Sequence, residues 1–296
     1  MHFLSAADFS KQQYEGVFGI ADTINSGTHL SLGRLSTLAI LFEGSNPRER
    51  ISLENAAALL GSKSVYVDAC GSGGDPAAAL ARAEKQFGVS ADVVAAVTLR
   101  HSDLVDFARS SKVPVINVLT DLERPVQALN DAYTIAGFKG GLGRLRIACI
   151  GNGAKNSVSS FMLAATRLGA DIVLVGPGSE VPGSKYLKAA RRYGSVEICD
   201  DMAEGLAEAD VVYVAAQGPG GARQGKQPNE FSRYQINGKT LRYAGKDAII
   251  VHPMPAFRGV EITADVIDGP RSVVWMETKN KVRVEQALIK YVVDGA

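Results

Sequence analysis

Apolar runs alternate with amphipathic stretches along the first half of the chain. Strands are predicted at residues 36–42, 64–69, 92–98 and 112–118. Helical spacing of apolar residues predicts helices at 5–25, from 47 through 60, at 76–87, from 101 through 107 and within 120–135. This alternation of strand and helix is typical of a parallel sheet that is covered by helices.

A glycine-rich polar stretch at 138–145 interrupts the pattern, and we interpret it as a domain boundary. The alternation then resumes, with strands predicted at 145–150, 171–175, 196–199, 210–215, 247–251 and 272–276 and helices at 156–168, 184–193, 201–208 and 279–293. The polar segment 217–246 predicts a long mobile loop with one helical turn. The predicted fold class is therefore α/β, with two doubly wound parallel-sheet domains.

The stretch FEGSNPRERISLE at 42–54 joins a predicted strand to a predicted helix. Gly44 permits the turn, Asn46 is a favourable N-cap, and Pro47 suits the first helical position. The unpaired N–H groups at such a helix start attract anions. The sequence therefore favours an anion site at this corner.

Two arginines, Arg48 and Arg50, lie in the first turn of that helix, where cations are unfavourable against the helix dipole. A bound phosphate would offset them, because its oxygens suit the planar guanidinium. The alternative is a solvated, charged first turn in which Asn46 and Glu49 form a capping box. The stretch by itself leaves both interpretations open.

Polar residues follow several other predicted strands, and ligands in α/β sheets bind beyond the carboxyl ends of strands. The residues just past these ends are Ser45, Ser72, Arg100, Asp121, Gly151, Gln217 and His252. Arg100, followed by His101, could neutralise an anion at the first corner or could be a solvated helix start. Gln127 follows Arg124 at a helix start and offers a donor and an acceptor to an amide-like group, with an exposed first turn as the alternative.

Two loops of the second half carry candidate chemistry. Gly151-Asn152-Gly153 lies between a strand and a helix and raises a dinucleotide site. Asn156 stands in place of the third glycine, and the next strand ends in Gly176-Pro177 without an acidic residue for a ribose, so no cofactor is predicted. His252–Pro255 (HPMP) is a stiff, extended loop whose carbonyls and imidazole suit an amine, or it is a plain loop.

Composition excludes several classes of protein. The 296 residues carry a formal net charge of +1, so no basic surface argues for nucleic acid or acidic lipid. The N-terminus lacks the features of a signal peptide, and no apolar run is long enough to span a membrane. Three scattered cysteines (Cys70, Cys149 and Cys199) indicate thiols in a reducing compartment, so a cytoplasmic protein is predicted. No cluster has metal-ligand spacing, and no metal is predicted.

Four blocks, in this order, resemble the aspartate/ornithine carbamoyltransferase family over almost the whole chain. FEGSNPRERISLENAAALLG resembles the family's Ser-Thr-Arg-Thr-Arg carbamoyl-phosphate motif and its following helix. LRHSDLVDFARSSKVPVINVLTDLERPVQALNDAYTI is similar to the family's Arg-His strand end and His-Pro-x-Gln helix. IGNGAKNSVSSFMLAATRLGADI and HPMPAFRGVEITADVIDGPRSVV resemble the start of the acceptor domain and the His-x-Leu-Pro loop.

The resemblance implies transfer of a carbamoyl group from carbamoyl phosphate to an amine. It implies a carbamoyl-phosphate-binding domain at 1–137, an acceptor-binding domain at 138–278 and a C-terminal helix at 279–296 that packs back on the first domain. It also implies a homotrimer, or a multiple of trimers, with active sites between subunits. Positioning and charge stabilisation, without a covalent intermediate, would supply most of the rate.

Matching positions carry the family's roles onto this chain. The implied catalytic residues are Arg48, Arg100, Arg124 and Gln127. The implied carbamoyl-phosphate-binding set comprises Ser45, Asn46, Arg48, Glu49, Arg50, Arg100, His101, Arg124 and Gln127. The implied acceptor-binding set comprises Ser72 from a neighbouring subunit, Asn156, His252, Met254, Pro255 and Arg258.

Two donor-site residues depart from the family pattern, and the motif has one extra residue. Glu49 stands where a threonine hydroxyl would meet the donor, and Arg124 stands where a histidine would meet the carbamoyl carbonyl. A carboxylate near a phosphate opposes binding unless it is paired. We therefore predict that Glu49 pairs with Arg124 or turns away into the capping box.

The acceptor motif of neither enzyme type is present. Ala216-Gln217-Gly218 replaces the Arg-x-Gln loop of the aspartate enzymes, and the Asp-x-x-x-Ser-Met-Gly of the ornithine enzymes is missing. An unusual amino acid or amine is therefore favoured over aspartate, with Arg258 able to bind an acceptor carboxylate. Two alternatives stay open: a non-catalytic or regulatory relative, which Glu49 and Arg124 would support, and an enzyme of the same fold with a different donor.

Overall fold

A computed structural model of the chain describes residues 1–32, 36–70, 75–87, 90–215 and 230–295. Its contacts divide the chain into two compact units, Met1–Asn130 with Lys279–Ala296, and Asp131–Thr278. One parallel sheet of four strands and one of five are formed. The predicted α/β class with two parallel-sheet domains is confirmed.

The first sheet lies in the part of the chain where strands and helices alternate up to α5. Its elements are α1 (Lys11–Asn25), β1 (Thr37–Phe42), α2 (Pro47–Leu59), β2 (Lys63–Asp68), α3 (Pro76–Phe87), β3 (Val93–Val97), α4 (His101–Ser110), β4 (Val115–Leu119) and α5 (Pro125–Lys139). The strand order is β2-β1-β3-β4. Apart from the half-buried Thr37 at the start of β1, the central strands β1 and β3 consist of buried Leu, Ile, Val, Ala and Phe without polar alternation, which is typical of a sheet covered on both faces.

The second sheet has the strand order β7-β6-β5-β8-β9. The elements of this part are β5 (Arg146–Ile150), α6 (Asn156–Arg167), β6 (Asp171–Val175), α7 (Ser184–Ala190), β7 (Val196–Cys199), α8 (Met202–Leu206), β8 (Val211–Val214), β9 (Ile249–Val251) and α9 (Ala264–Ile267). Tyr213 of β8 is fully buried, stacks on Phe161 with ring centroids 4.1 Å apart, and donates to Asp131 Oδ2 at 3.0 Å. This buried hydrogen bond ties α5 to the sheet.

Backbones approach closely where β5 and β6 end. A Cβ atom at Gly176 would collide with the carbonyl oxygen of Gly151, and one at Gly153 would lie 2.6 Å from the Glu180 carbonyl oxygen. Gly151 itself has φ of 109°, a conformation that side chains rarely adopt. Packing of the loop backbone therefore explains glycine at Gly151, Gly153 and Gly176 without a dinucleotide.

The C-terminal helix α10 (Val274–Asp294) contributes its residues from Lys279 onward to the first unit. The Tyr291 ring meets Phe9 edge-on, with centroids 5.7 Å apart, and Lys290 Nζ donates to the Ser31 carbonyl at 3.2 Å. Helix α10 also meets α2 through buried polar groups.

Three sequence predictions of secondary structure are wrong. Residues 274–276 form the start of α10 rather than the end of a strand at 272–276, because the Val273 carbonyl accepts the N–H groups of Met276 and Glu277. Only Ser272 bridges Ile250 of β9. A short apolar run does not distinguish a buried helix turn from a strand.

The other two corrections concern helix boundaries and loops. The first helix begins at Lys11 rather than near residue 5, because Ser10 and Gln13 form a capping box that fixes its start. Within the predicted loop 217–246, residues 217–229 lie outside the described ranges, and the described remainder contains two short 3₁₀ turns, Ser232–Tyr234 and Thr240–Tyr243, instead of one helical turn.

A search of the described helices finds none that is both long and apolar enough to cross a bilayer. The three cysteines are free thiols: Cys70 is exposed, Cys199 is half-buried and Cys149 is buried. Burial raises the pKa of the Cys149 thiol well above its ordinary range.

Candidate active site

The corner after β1 forms as the sequence predicts. Gly44 takes φ of 87°, Pro47 is the first residue of α2, and the Asn46 side chain accepts from the Glu49 N–H at 3.5 Å. The Gly44 N–H donates to Cys70 Sγ at 3.1 Å, which holds the turn against the end of β2. The start of α2 is therefore a capped helix terminus beside exposed polar side chains, as an anion site requires.

The Glu49 carboxylate turns inward from this first turn and joins two cations. Its Oε1 accepts from Arg124 Nη2 at 3.2 Å, and its Oε2 accepts from Lys281 Nζ at 2.6 Å. The carboxylate therefore forms the Arg124 pair that was one of the two predicted arrangements, rather than reaching back to the N-cap. Lys281, on α10, is a partner that sequence reasoning missed.

The pKa of Glu49 reflects three opposing influences. Burial raises it, whereas the charges of Lys281 and then of Arg124, with their hydrogen bonds, lower it, and the result lies below the ordinary range. Glu49 is thus a buried carboxylate kept ionised by its two cationic partners.

A second polar contact links the same two helices one turn further along. Ser52 Oγ lies 2.5 Å from Glu285 Oε2, and both residues are buried. Burial raises the pKa of Glu285 to about 8; the charge of Lys281 and the Ser52 hydrogen bond lower it in part, and Glu49 adds to the rise. Glu285 is therefore protonated at neutral pH.

Arg50 points to the opposite side of the corner. Its guanidinium lies 4.0 Å from the centroid of the Tyr66 ring, and its Nε donates to Glu54 at 2.8 Å. Tyr66 belongs to β2, whereas Arg100 and Arg124 follow β3 and β4, on the other side of β1 in the sheet. The structure therefore separates Arg50 from the corner where Glu49 meets Arg124.

Arg50 lines a hollow of about 260 Å³ at the ends of β1 and β2. Ser45 and Asn46 line the same hollow. Arg48, between these residues and Arg50 in sequence, is exposed and has no ion pair among the contacts described for the chain. The two arginines of α2 that were predicted to bind phosphate therefore differ in their contacts: Arg50 contacts Tyr66 and Glu54, whereas Arg48 is exposed to solvent.

Arg100 follows β3 and lines a separate hollow of about 390 Å³ with Asp75, Asp103 and Phe107 among its neighbours. Its side chain is 74% exposed, and its Nε donates to Asp103 at 2.9 Å. The adjoining His101 is fixed to the end of β4: its N–H donates to Asp121 at 2.8 Å, and its Nδ1 lies 3.1 Å from Thr120 Oγ1. An exposed pair of this kind is weak, so Arg100 can exchange Asp103 for an anion.

Arg124 and Gln127 flank the start of α5, directly after β4. Gln127 is buried in the first turn of the helix, contrary to the alternative of an exposed first turn. Because β1, β3 and β4 are parallel neighbours, their carboxyl ends lie along one edge of the sheet. That edge carries Arg48, Arg100, Arg124 and Gln127, the four residues predicted to be catalytic.

The predicted acceptor residues belong to the second unit, apart from Ser72, which lies outside the described residues, as does Gln217. Asn156 begins α6, after the loop in which Asn152 accepts from the Ala154 N–H at 2.9 Å. The Met254–Pro255 peptide bond is cis. Arg258 forms two hydrogen bonds to the Asp268 carboxylate, at 3.2 and 2.8 Å, so an acceptor carboxylate would compete with Asp268 for it.

His252 is fully buried and holds the proline loop through its ring nitrogens. Its Nδ1 lies 2.8 Å from the Pro253 carbonyl oxygen, and its Nε2 lies 3.1 Å from Glu261 Oε1. The same carboxylate oxygen accepts from the Phe257 N–H at 2.7 Å. His252 is thus engaged within the protein, and the partner Glu261 was not found from the sequence.

Two kinds of partner were not found from the sequence. Lys281 and Glu285 are far along the chain from Glu49 and Ser52, and Glu261 is close to His252 but belongs to no motif. Lys281 and Glu285 stand four residues apart on one helical face, and this spacing in a predicted helix was the available signal. Among the described residues, no group of three or more His, Cys, Asp or Glu side chains is arranged to hold a metal ion.

Comparisons with known proteins match both halves of the chain. Residues 1–137 match the carbamoyl-P binding domain of aspartate/ornithine carbamoyltransferase, and residues 144–292 match the Asp/Orn binding domain. An ornithine carbamoyltransferase of Ignicoccus hospitalis is 38% identical and aligns over 86% of this chain and 85% of its own length. One from Methanococcus aeolicus is 34% identical over 99% of each chain.

Solved structures give the same result. The ornithine carbamoyltransferase from Pyrococcus furiosus superimposes with a TM-score of 0.90 and 31% identity, covering 100% of this chain and 97% of that one. The anabolic enzyme of that name from Campylobacter jejuni gives a TM-score of 0.88 and 27% identity, covering 100% and 99%.

Proposed function

The chain belongs to the aspartate/ornithine carbamoyltransferase family, and we propose that it transfers a carbamoyl group from carbamoyl phosphate to the amino group of ornithine or a related amino acid or amine. The predicted family, the enzyme class and the exclusion of aspartate are confirmed by the family match and the relatives. The products are a ureido compound and inorganic phosphate.

One observation carries the proposal for the donor: the carboxyl ends of β1, β3 and β4 line one sheet edge and carry three arginines and Gln127. We propose that Arg48 and Arg100 bind the phosphate with Asn46 or Ser45, and that Gln127 binds the carbamoyl NH2. Arg124 would donate to the carbamoyl oxygen, whose negative charge grows as the amine attacks. Positioning and charge stabilisation would then provide the rate without a covalent intermediate.

The remaining predicted donor residues would support this set. Arg50 contacts Tyr66 and Glu54 and would hold the start of α2 in place. His101 contacts Thr120 and Asp121 and would do the same for the start of α4. Glu49 would act on Arg124 and not on the donor, because its carboxylate is already shared by two cations.

For the acceptor, we propose Asn156 and the Met254–Pro255 loop as ligands of the amine, with His252 and Glu261 holding that loop. Arg258 would bind an acceptor carboxylate in exchange for Asp268. Ornithine is the first acceptor to test, because the relatives carry its name, although the chain lacks the ornithine-type Asp-x-x-x-Ser-Met-Gly motif.

We further propose that residues 1–137 form the carbamoyl-phosphate-binding domain and residues 138–278 the acceptor domain, and that 279–296 is a C-terminal helix that packs on the first of these domains. Contacts of α10 with α2 and with Phe9, just before α1, support the last point. A cytoplasmic homotrimer, with Ser72 lent by a neighbouring subunit, is proposed from the family resemblance and the free thiols. Light scattering of the purified protein tests the trimer.

A ureido assay with carbamoyl phosphate and a panel of amines tests the function. Ornithine, its shorter and longer homologues, acylated ornithines and aliphatic diamines form the panel. We expect one class to give product, and Arg100→Gln to raise KM for carbamoyl phosphate by roughly 10- to 100-fold because a charged phosphate ligand is lost. Arg109→Gln, an exposed arginine on the adjoining helix, is the matched control.

A non-catalytic or regulatory relative, the alternative that the sequence left open, has one contact in its support, the engagement of Arg124 by Glu49, whereas the relatives support the enzyme. Folded wild-type protein that binds carbamoyl phosphate but yields no ureido product with any amine would support this candidate over the enzyme. Wild-type protein that does not bind carbamoyl phosphate would instead support an enzyme of the same fold that uses a different donor.

A further inference from the structure

The Glu49 carboxylate connects cations from two separate elements. Arg124 precedes α5 and contacts one carboxylate oxygen at 3.2 Å, and Lys281, on α10, contacts the other at 2.6 Å. The three residues therefore form a chain of contacts, Lys281 to Glu49 to Arg124, in which the carboxylate is the link. Lys281 and Glu49 are 232 positions apart in the sequence.

This chain is shielded from water. The side chains are 7% exposed for Glu49, 18% for Arg124 and 17% for Lys281. At this burial, the interactions are screened much less than those of surface pairs. Removing one partner of such a set leaves a charge buried without compensation, which is far more disruptive than losing a surface pair.

Lys281 is the larger of the two influences that keep Glu49 ionised. Burial alone would raise the pKa of this carboxyl group, and the charge of Lys281 opposes that rise more than the charge of Arg124 does. Without Lys281, Glu49 would be more readily protonated, and a neutral carboxyl group attracts a guanidinium less strongly.

The surroundings of Lys281 favour this role. Glu285 stands one turn further along α10, where it shares a hydrogen bond with Ser52. Because burial raises the pKa of Glu285 to about 8, it is neutral at neutral pH and does not compete with Glu49 for the lysine. Glu49 is therefore the ionised carboxylate that Lys281 contacts at this junction of α2 and α10.

We propose that Lys281 and Glu49 are positioning residues for Arg124. Lys281 fixes the Glu49 carboxylate, and the carboxylate fixes the Arg124 guanidinium where it donates to the carbamoyl oxygen; this inference rests on the function proposed above. A guanidinium has five N–H donors, so Arg124 can bond Glu49 and a ligand together. Glu49 and Arg124 thus replace the threonine and histidine of the family motif as a linked pair, and α10 completes the donor site.

A double-mutant cycle on steady-state kinetics tests the chain of contacts. We expect Lys281→Met to lower kcat by about tenfold while changing KM for carbamoyl phosphate by less than about threefold, because the transition-state contact of Arg124 is misplaced and the phosphate ligands stay. Lys281→Arg should stay within about threefold of wild type. In an Arg124→Gln background, about 100-fold slower itself, Lys281→Met should change kcat by less than about twofold.

Equal losses of kcat from Lys281→Met in both backgrounds would overturn the inference, as would no loss in the wild-type background. Arg283→Met, a half-buried cation on the same helix whose partner is Asn280, is the matched control and should leave kcat unchanged. Should Lys281→Met fail to fold, Glu49→Gln enters the same cycle, since it keeps the shape and removes the charge.

A second readout separates this inference from the proposed function. An inactive wild type would refute the function; the same four proteins are then compared by calorimetry for binding of phosphonoacetamide, an uncleavable analogue of carbamoyl phosphate. Lys281→Met should weaken that binding by about two- to threefold in the wild-type background, within the limit set for KM because the analogue's carbonyl oxygen carries no developing charge, and leave it unchanged in the Arg124→Gln background. Additive losses in this assay would reject the positioning role.

Discussion

The charge state of Glu285 is coupled to the stability of the first unit, because the side chain is buried. It is 1% exposed on α10, shares one hydrogen bond with Ser52, and has an oxygen, Oε1, that finds no hydrogen-bond partner among the described residues. Burial raises its pKa to about 8 from an ordinary value of 4.5. Replacing it with glutamine keeps the shape and removes the ionisation.

The sign of the effect follows from proton binding. Below pH 4.5, the folded and the unfolded chain both carry the proton on Glu285. Between pH 4.5 and about 8, the unfolded chain releases the proton and the folded protein retains it, so the free energy of unfolding falls as pH rises. At about 1.4 kcal/mol per pH unit, the whole interval amounts to about 5 kcal/mol.

Glu285→Gln should therefore gain stability over wild type as the pH increases. The difference in free energy of unfolding, variant minus wild type, should rise by about 3 to 4 kcal/mol between pH 5 and pH 8. Urea unfolding at pH 5, 6.5 and 8 measures it, and taking the difference at each pH cancels the other titrating groups. Where two transitions occur, the one that involves the first unit is compared.

Glu15→Gln provides the control, because Glu15 is an exposed carboxylate on α1 and its replacement removes a negative charge without altering a buried group. A profile for Glu285→Gln that is flat, that is no steeper than the profile of Glu15→Gln, or that falls toward pH 8 would refute the conclusion that the folded protein holds this carboxyl group in its neutral form.

Three further predictions concern packing and thiol chemistry. Gly176→Ala should destabilise the protein by several kcal/mol, because its Cβ would collide with a carbonyl oxygen of the adjoining loop, whereas Gly178→Ala, which has open space, should have little effect on the melting temperature. Tyr213→Phe should lower the free energy of unfolding by about 1 to 3 kcal/mol, since it removes a donor from a buried carboxylate of α5; an unchanged denaturation curve would contradict this. Cys70, which is exposed, should react with a thiol reagent in the folded protein, and Cys149 only after denaturation, because burial raises the pKa of its thiol; prompt reaction of both would be inconsistent with the fold.

Local chemistry made the α2 corner predictable. Gly44, Asn46 and Pro47 each have a conformational preference that acts within a few residues, and the structure shows the turn, the cap and the helix start at these positions. The pairing of Glu49 with Arg124 was also predicted, as one of two arrangements, because a carboxylate at that position required a neutralising partner.

Long-range partners were not predictable in the same way. Nothing near Glu49 in sequence indicates that Lys281 would contact it, since the contact depends on where α10 returns to the first unit. The misassigned strand at 272–276 is a related error: its apolar residues indicated burial correctly, but four or five apolar residues do not reveal whether the buried segment is strand or helix. The spacing of apolar residues indicates which residues are buried, but it does not indicate which residues they contact.

The return of α10 to the first unit has a consequence for how the protein is made. Residues 1–130 leave the ribosome before any of 131–278, yet Lys281 and Glu285, which contact Glu49 and Ser52, are translated only after that whole intervening segment. During synthesis, the nascent first lobe holds Glu49 without its stronger cation, Ser52 without its contact to Glu285, and Phe9 without the ring of Tyr291. Its maturation must therefore be a late event, completed when the final helix docks.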